Sequence, residues 1–529
     1  MRRPLLQPLR WSTLALCALL AGALAHARPP NVVLILADDL GYADIGAHGA
    51  EIHTPHIDSL ATGGLRFTSF YNMAKCETTR AALYTGLVAE KRHAANAQTL
   101  PELLKGAGYH TVMVGKKHFR DWAADLLIER RPFDEALTFY GLTPYFEAAD
   151  GTWNGEWHRP FLLNGEELVP SQMELEREPF YQTDAFTDYA LRFLDRAHDT
   201  GKPFFLYLPY HAPHYPLQAR EEDIARYRDT YRAGWDIIRA ERFRRQRELG
   251  AVPENARLSP PEGNINRFRE PYRGEIYHYR PWAEIDAAEQ DALALEMAVF
   301  AAMVDRLDGN VGRVLDRLQA LGVEDDTLVL FLADNGSCPY DSNEDFAIPP
   351  GGPGSFRTLS AAWANVGNTP YRYFKQYGHE GGTRTPFFAR WPARIQPGTT
   401  DAPAHVADVL PTVLDIAGTA YPATADGKPT PALDGASLLP VLDGGSRPQP
   451  EPMISGFTER FRAVRMGAWK IVRVNGEPWQ LYHLPSDPTE LDDRAAAEPA
   501  LLERLVGRYE AWIRENDAVM PLYDEVAGG

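Results

Sequence analysis

The sequence predicts an α/β protein: a large doubly wound, mostly parallel sheet flanked by helices, with a smaller C-terminal α+β subdomain. Three observations carry that prediction. Asn31 to Ala37 (Asn-Val-Val-Leu-Ile-Leu-Ala) is an unbroken apolar, β-branched run, the pattern of a strand covered on both faces. Comparable runs recur at His110 to Val114, Pro203 to Leu208 and Thr327 to Leu332, separated by stretches of helical character. These runs lead into Asp38-Asp39, Lys116 and His118, His211 and His214, and Asp334-Asn335. Outside the carboxyl ends of its strands is where an open α/β sheet has its ligand crevice.

The chain has 529 residues, enough for a large domain and a smaller one. Its 54 basic and 72 acidic residues give a net charge of −18, which argues against nonspecific nucleic-acid binding. Arg2 and Arg3, the apolar run Trp11 to Ala25 and the small-x-small triplet Ala25-His26-Ala27 read as a signal peptide over 1–27, with export to the periplasm or beyond the cell. No other stretch is apolar enough to span a bilayer, so no stable membrane span is expected after cleavage. Of three cysteines, Cys17 lies in that leader, and Cys76 and Cys338 are read as two unpaired positions.

The elements follow in order. Thr54-Pro55 starts a short helix, Arg66 to Met73 is extended, and Cys76 opens a second helix. A cysteine at a helix N-terminus meets unpaired N–H groups that favour its anion, so Cys76 is a candidate for chemistry. Thr99, Pro101 and Glu102 start a helix that Gly106 or Gly108 ends. Asp121 to Pro179 is aromatic and irregular and reads as loops over the sheet. A helix from about Asp184 to His198 is closed by Gly201. Arg220 to Pro261, rich in Arg and Glu, reads as a solvated helical insertion. Met297, Phe300, Val304, Leu307, Val311, Val314 and Leu318 step by three and four, one long amphipathic helix stopped by Gly322. Gly351 to Pro370 reads as a site-shaping loop, Pro386 to Trp391 as a strand and Val406 to Ala417 as a helix. The domain bounds are 28–421 for the catalytic unit, 422–452 for a Pro/Gly-rich linker and 453–529 for a subdomain of short strands (Met453 to Phe457, Ala468 to Val474, Trp479 to His483) and a final helix, Glu498 to Asn516.

The strand-end residues divide by chemistry. Asp38, Asp39, Asp334 and Asn335 offer hard oxygen ligands, suited to Ca²⁺ or Mg²⁺. One such pair is commonly a strand-end turn, but two pairs at two strand ends point to a metal. Arg80, Lys116, His118, His214 and Lys375 are cations and proton donors suited to a tetrahedral oxyanion. His211 competes with His214, and Glu380 and Arg384 either brace their loop or touch substrate.

Taken together these residues resemble the sulfatase family of the alkaline-phosphatase superfamily. Asn31 to Gly49 is similar to its opening strand with the Asp-Asp pair, and Cys76 to Gly86 to its Cys-x-Pro-x-Arg…Thr-Gly element, with Thr78 where the family carries proline or alanine. Gly115-Lys116-x-His118, Ala212-Pro213-His214, Asp334-Asn335-Gly336 and Lys375…Glu380-Gly381-Gly382-x-Arg384-x-Pro386 match in the same order. The resemblance implies an exported sulfuric ester hydrolase whose Cys76 is oxidised to formylglycine by a formylglycine-generating enzyme. It implies Ca²⁺, ahead of Mg²⁺, on Asp38, Asp39, Asp334, Asn335 and the modified Cys76. It further implies that Arg80, Lys116 and His118 serve the nucleophile, His214 the leaving oxygen and Lys375 the sulfate oxygens of a sulfated small molecule or glycan. The alternatives are a phosphodiesterase or phosphonate hydrolase of the same superfamily, and a sulfoglycan-binding protein that lacks the aldehyde.

Overall fold

The computed structural model describes residues 29–119, 123, 132–147, 158–262, 279–340, 348–474 and 477–520. The signal peptide expected over 1–27, with Cys17, lies outside the described residues. In chain order the strands are β1 (Asn31–Ala37), β2 (Leu65–Phe67), β3 (Phe70–Tyr71), β4 (His110–Lys117), β5 (Glu135–Tyr140), β6 (Phe161–Leu163), β7 (Glu166–Leu168), β8 (Phe204–Pro209) and β9 (Thr327–Ala333). There follow β10 (Phe387–Arg390), β11 (Gly398–Thr400), β12 (Ala404–His405), β13 (Thr424–Ala425), β14 (Lys428–Pro429), β15 (Met453–Phe457), β16 (Phe461–Met466), β17 (Trp469–Val474) and β18 (Gln480–His483).

Ten strands form one sheet in the order β11-β2-β10-β9-β1-β8-β4-β5-β6-β7. Its centre, β9-β1-β8-β4-β5, is parallel, and β10 and β6 join antiparallel at the two sides. The β1 residues alternate between two cores, as a strand with a period of two must. Val33, Ile35 and Ala37 pack with the helices Gln182–Asp199 and Ala287–Ala320, and Val32, Leu34 and Leu36 pack with Cys76–Thr85 and Val409–Ala417. The antiparallel sheet β15-β16-β17-β18 and the helix Pro499–Asn516 add their apolar side chains to this second core.

Four sequence expectations need correction. Within 121–179, β5, β6 and β7 widen the sheet. The β6–β7 turn is Asn164-Gly165, both at positive φ (53° and 95°), the chemistry of a two-residue hairpin. The Arg/Glu-rich insertion is not merely solvated: its helix Trp235–Glu248 buries Trp235, Arg239 and Arg242. The Gly351–Pro370 segment contains a helix, Ser360–Gly367, all of whose residues are buried. Between Phe457 and Trp469 an additional strand, β16, pairs on both sides.

Candidate active site

Neighbouring parallel strands β9, β1, β8 and β4 release their chain at the same sheet edge, so Asp334-Asn335, Asp38-Asp39, His211/His214 and Lys116/His118 meet there. Gly336 makes the β9 exit possible, since a Cβ on it would lie 1.8 Å from the Gly381 carbonyl oxygen. That close approach brings the 371–384 segment, with Lys375, over the edge. Cys76 arrives from the other side as the first residue of its helix, preceded by Lys75 in extended conformation.

All ten proposed site residues come together. Asp38 Oδ2 lies 2.7 Å from Lys116 Nζ and 3.2 Å from Arg80 Nη2. Arg80 donates from Nε (3.1 Å) and Nη2 (2.9 Å) to Asp334 Oδ2, while Asp334 Oδ1 accepts from the Asp39 backbone N–H (3.1 Å). Asp39 Oδ1 accepts from Asn335 Nδ2 and from Lys375 Nζ, each at 2.7 Å. His214 Nε2 lies 3.4 Å from Asp39 Oδ2 and 3.5 Å from Lys375 Nζ. Ligating atoms of Asp38, Asp39, Cys76 and His214 all lie within 4.8 Å of one another, as do those of Cys76, Glu77 and His118.

Three carboxylates (Asp38, Asp39, Asp334) therefore face three cations (Arg80, Lys116, Lys375) in a buried site. Burial alone would raise Asp38, but Lys116, His214, Arg80 and Lys375 hold it well below the usual carboxylate range. Burial and the Asp38 charge push Asp334 up to about 8. Burial also pushes the Cys76 thiol up to about 12, against the expectation of a favoured anion, although Lys375 and Lys116 act to lower it. His214 is held well below its ordinary value by burial and Lys116, and His118 falls to about 3 for the same two reasons.

The donor set fits a hard divalent cation. Asp38 Oδ1 and Asn335 Oδ1 are buried without a hydrogen-bond partner, oxygens of the kind such an ion takes up. His211 stands one layer back: its Nδ1 meets Gln182 Oε1 (3.0 Å), and its ring stacks on Tyr145 and on His214, with centroids 5.0 and 5.1 Å apart. The sequence reading missed two neighbours. Glu77 adjoins Cys76 and His118, and burial together with the Asp39 charge pushes the buried Cys338 thiol well above its ordinary value. Both signals were present, one inside the Cys76 motif and one four residues after Asp334. Cys76 and Cys338 are both free and buried.

The sulfatase family model matches residues 30–419, and that of the N-sulphoglucosamine sulphohydrolase C-terminal region matches 370–501. The chain is 31% identical to an uncharacterized sulfatase of Schizosaccharomyces pombe, over 95% of this chain and 97% of that one. It is 30% identical to an arylsulfatase of Klebsiella aerogenes (81% and 95% covered) and 29% identical to human arylsulfatase A (85% and 76%). Among solved structures it is similar to Ps i-CgsB in complex with k-i-k-neocarrahexaose, with a TM-score of 0.65 at 26% identity and 92% and 94% covered.

Proposed function

The chain belongs to the sulfatase family of the alkaline-phosphatase superfamily and is a sulfuric ester hydrolase, and from that premise we propose that it is exported and releases inorganic sulfate from an aryl or carbohydrate sulfate through a nucleophile made from Cys76. The observation that carries this reading is the convergence of three carboxylates, Asn335 and three cations on one buried side chain at a helix start.

Asp38, Asp39, Asp334, Asn335 and the modified Cys76 would hold Ca²⁺. When bound, the ion supplies Lewis-acid polarisation of a sulfate oxygen and fixed positive charge. Formylglycine at position 76, formed from Cys76 by a formylglycine-generating enzyme before or during export, would supply a hydrated aldehyde with one hydroxyl as nucleophile toward sulfur and a second whose proton loss would release sulfate.

The residues around it divide the remaining work. Arg80 and Lys116, both paired to Asp38, keep positive charge beside the attacking oxygen. His118 lies within reach of the position 76 side chain and holds or takes a hydroxyl proton there. The Tyr215 carbonyl, 2.7 Å from His214 Nδ1, fixes a proton on that nitrogen and leaves Nε2 facing Asp39 and Lys375. To donate to the leaving oxygen Nε2 must carry a second proton, which a negatively charged sulfate ester beside it favours. Lys375 Nζ binds sulfate oxygens.

Mass spectrometry of the peptide carrying Cys76, from protein made in its native host, tests the reading together with turnover of an aryl sulfate. An aldehyde at position 76 and sulfate release are expected. A bare thiol with no sulfate released would overturn it.

A further inference from the structure

Lys375 sits on a segment that does not hold its own shape. Tyr373 and Gln376, which flank it, both have left-handed φ (60° and 69°) without being glycine, so the backbone stays there only because its surroundings force it. Some of that force is local. The Lys375 N–H donates to Ser337 O (3.2 Å) and the Gln376 N–H to Ala74 O (2.7 Å). The segment also folds onto the short helix Glu380–Thr383: Gly381 N–H donates to Arg372 O (2.9 Å), and Cβ atoms on Gly381 and Gly382 would lie 2.2 Å from Tyr373 O and 2.1 Å from Tyr377 O.

That short helix is fixed from outside the large sheet. Lys470 Nζ, from β17 of the C-terminal sheet, lies 2.6 Å from Glu380 Oε1 and 2.9 Å from Glu490 Oε1. Glu380 Oε2 accepts from Tyr71 Oη (3.0 Å) and Arg384 Nη1 (3.1 Å). Glu490 Oε2 accepts from the Glu380 backbone N–H (2.6 Å), and the Glu490 carbonyl accepts from Arg372 Nη1 (3.0 Å). The side chains of Lys470, Glu380 and Glu490 are at most 1% exposed, so the lysine is the buried ammonium between two buried carboxylates. Without it the carboxylates repel each other in a medium that screens them poorly.

We propose that Lys470 is a positioning residue for the reaction: through Glu380 and Glu490 it fixes the 371–378 segment and hence the place of the Lys375 ammonium, so that the C-terminal sheet completes the sulfate-binding side of the active site. This rests on the role given above to Lys375. Burial with ordered partners on both sides favours positioning over a simple surface staple.

The experiment compares Lys470→Met, the double variant Lys470→Met/Glu490→Gln, which removes the excess carboxylate and protects the fold, and Lys470→Arg. Each is assayed on an aryl sulfate after the folded fraction is measured by near-UV circular dichroism. Hydrogen exchange is followed over 371–378, and inorganic sulfate binding by calorimetry. The two methionine variants are expected to raise KM and lower kcat, with kcat/KM down ten- to hundred-fold per folded molecule. Faster exchange over 371–378 and weaker sulfate binding should accompany that loss, and Lys470→Arg should restore much of it. KM unchanged, with kcat down only in proportion to the folded fraction and exchange over 371–378 unaltered, would overturn the proposal. If the wild-type enzyme turns over no sulfate ester, the functional reading fails by itself, and exchange and sulfate binding still decide whether Lys470 orders the segment.

Discussion

At Thr78 the residue that departs from the family pattern can be followed atom by atom. It lies in the first turn of the Cys76 helix, and its hydroxyl donates to Lys75 O (2.9 Å) and Met73 O (3.3 Å). Proline is sterically admitted in a first helical turn, so Thr78→Pro should fold. It should cost about 1 kcal/mol for the hydroxyl's hydrogen bonds. Because the family carries proline or alanine here, Thr78→Pro is expected to raise the fraction of Cys76 converted to aldehyde when a standard formylglycine-generating enzyme is supplied. Mass spectrometry of the Cys76 peptide reads this directly, and equal conversion in both proteins would mean that position 78 is not what the modifying enzyme reads. At this scale the sequence was most informative, since strand-end residues such as Asp38 and Asp334 announce themselves by following apolar runs. What it withheld was environment. The helix start at Cys76 is visible in a sequence, but the burial that raises its thiol is a property of the fold, and the charges around it come from several strands and segments, Asp38, Lys116, Asp334 and Lys375.

Among the elements, the helix Trp235–Glu248 shows how composition misleads. Its Arg and Glu content describes a solvated helix, and most of that charge is indeed outside: Arg244 pairs with Glu241 and Glu248 and is 54% exposed. Arg242 is different. Its side chain is fully buried, with Nη1 2.7 Å from Asp44 Oδ1 and Nη2 2.7 Å from Glu51 Oε1. Asp44 in turn accepts from the Gly41 backbone N–H (2.9 Å), so one arginine braces the turn that follows Asp38-Asp39. Arg242→Met should therefore cost about 3–5 kcal/mol by stranding two carboxylates. Arg244→Ala should leave the denaturation midpoint where it was, because an exposed pair is screened by water and salt. Denaturant titration of both separates the cases, and equal effects would refute the distinction. No periodicity distinguishes these two arginines, because the acids that select Arg242 come from another part of the chain. The β6–β7 hairpin is the opposite case: Asn164-Gly165 carried the signal in the sequence, hidden only by the irregular aromatic stretch around it.

For the whole molecule, the informative contrast is between a chain of net charge −18 and an active site in which three buried acidic side chains, Asp38, Asp39 and Asp334, are paired with three buried cations, Arg80, Lys116 and Lys375. The overall charge was legible from composition. The local pairing was not, because it depends on which strands are neighbours in space. A buried site whose charges are already paired resists any single ion, since adding one charge to a poorly screened pocket leaves that charge uncompensated. A divalent cation and a divalent anion added together add no net charge to it. Ca²⁺ and inorganic sulfate should therefore bind with positive coupling, and by linkage each must tighten the other by the same factor, typically about 5- to 150-fold. Calorimetric titration of sulfate into chelator-stripped and Ca²⁺-loaded protein, with the reciprocal titration of Ca²⁺, measures both sides of this cycle. Chelation should lower the melting temperature more when sulfate is present than when it is absent, since the pair stabilises the folded state by mass action. Sulfate affinity that does not change on adding Ca²⁺ would mean that the cation binds away from the three acidic side chains, and the ion pairs at the sheet edge would then serve the fold alone.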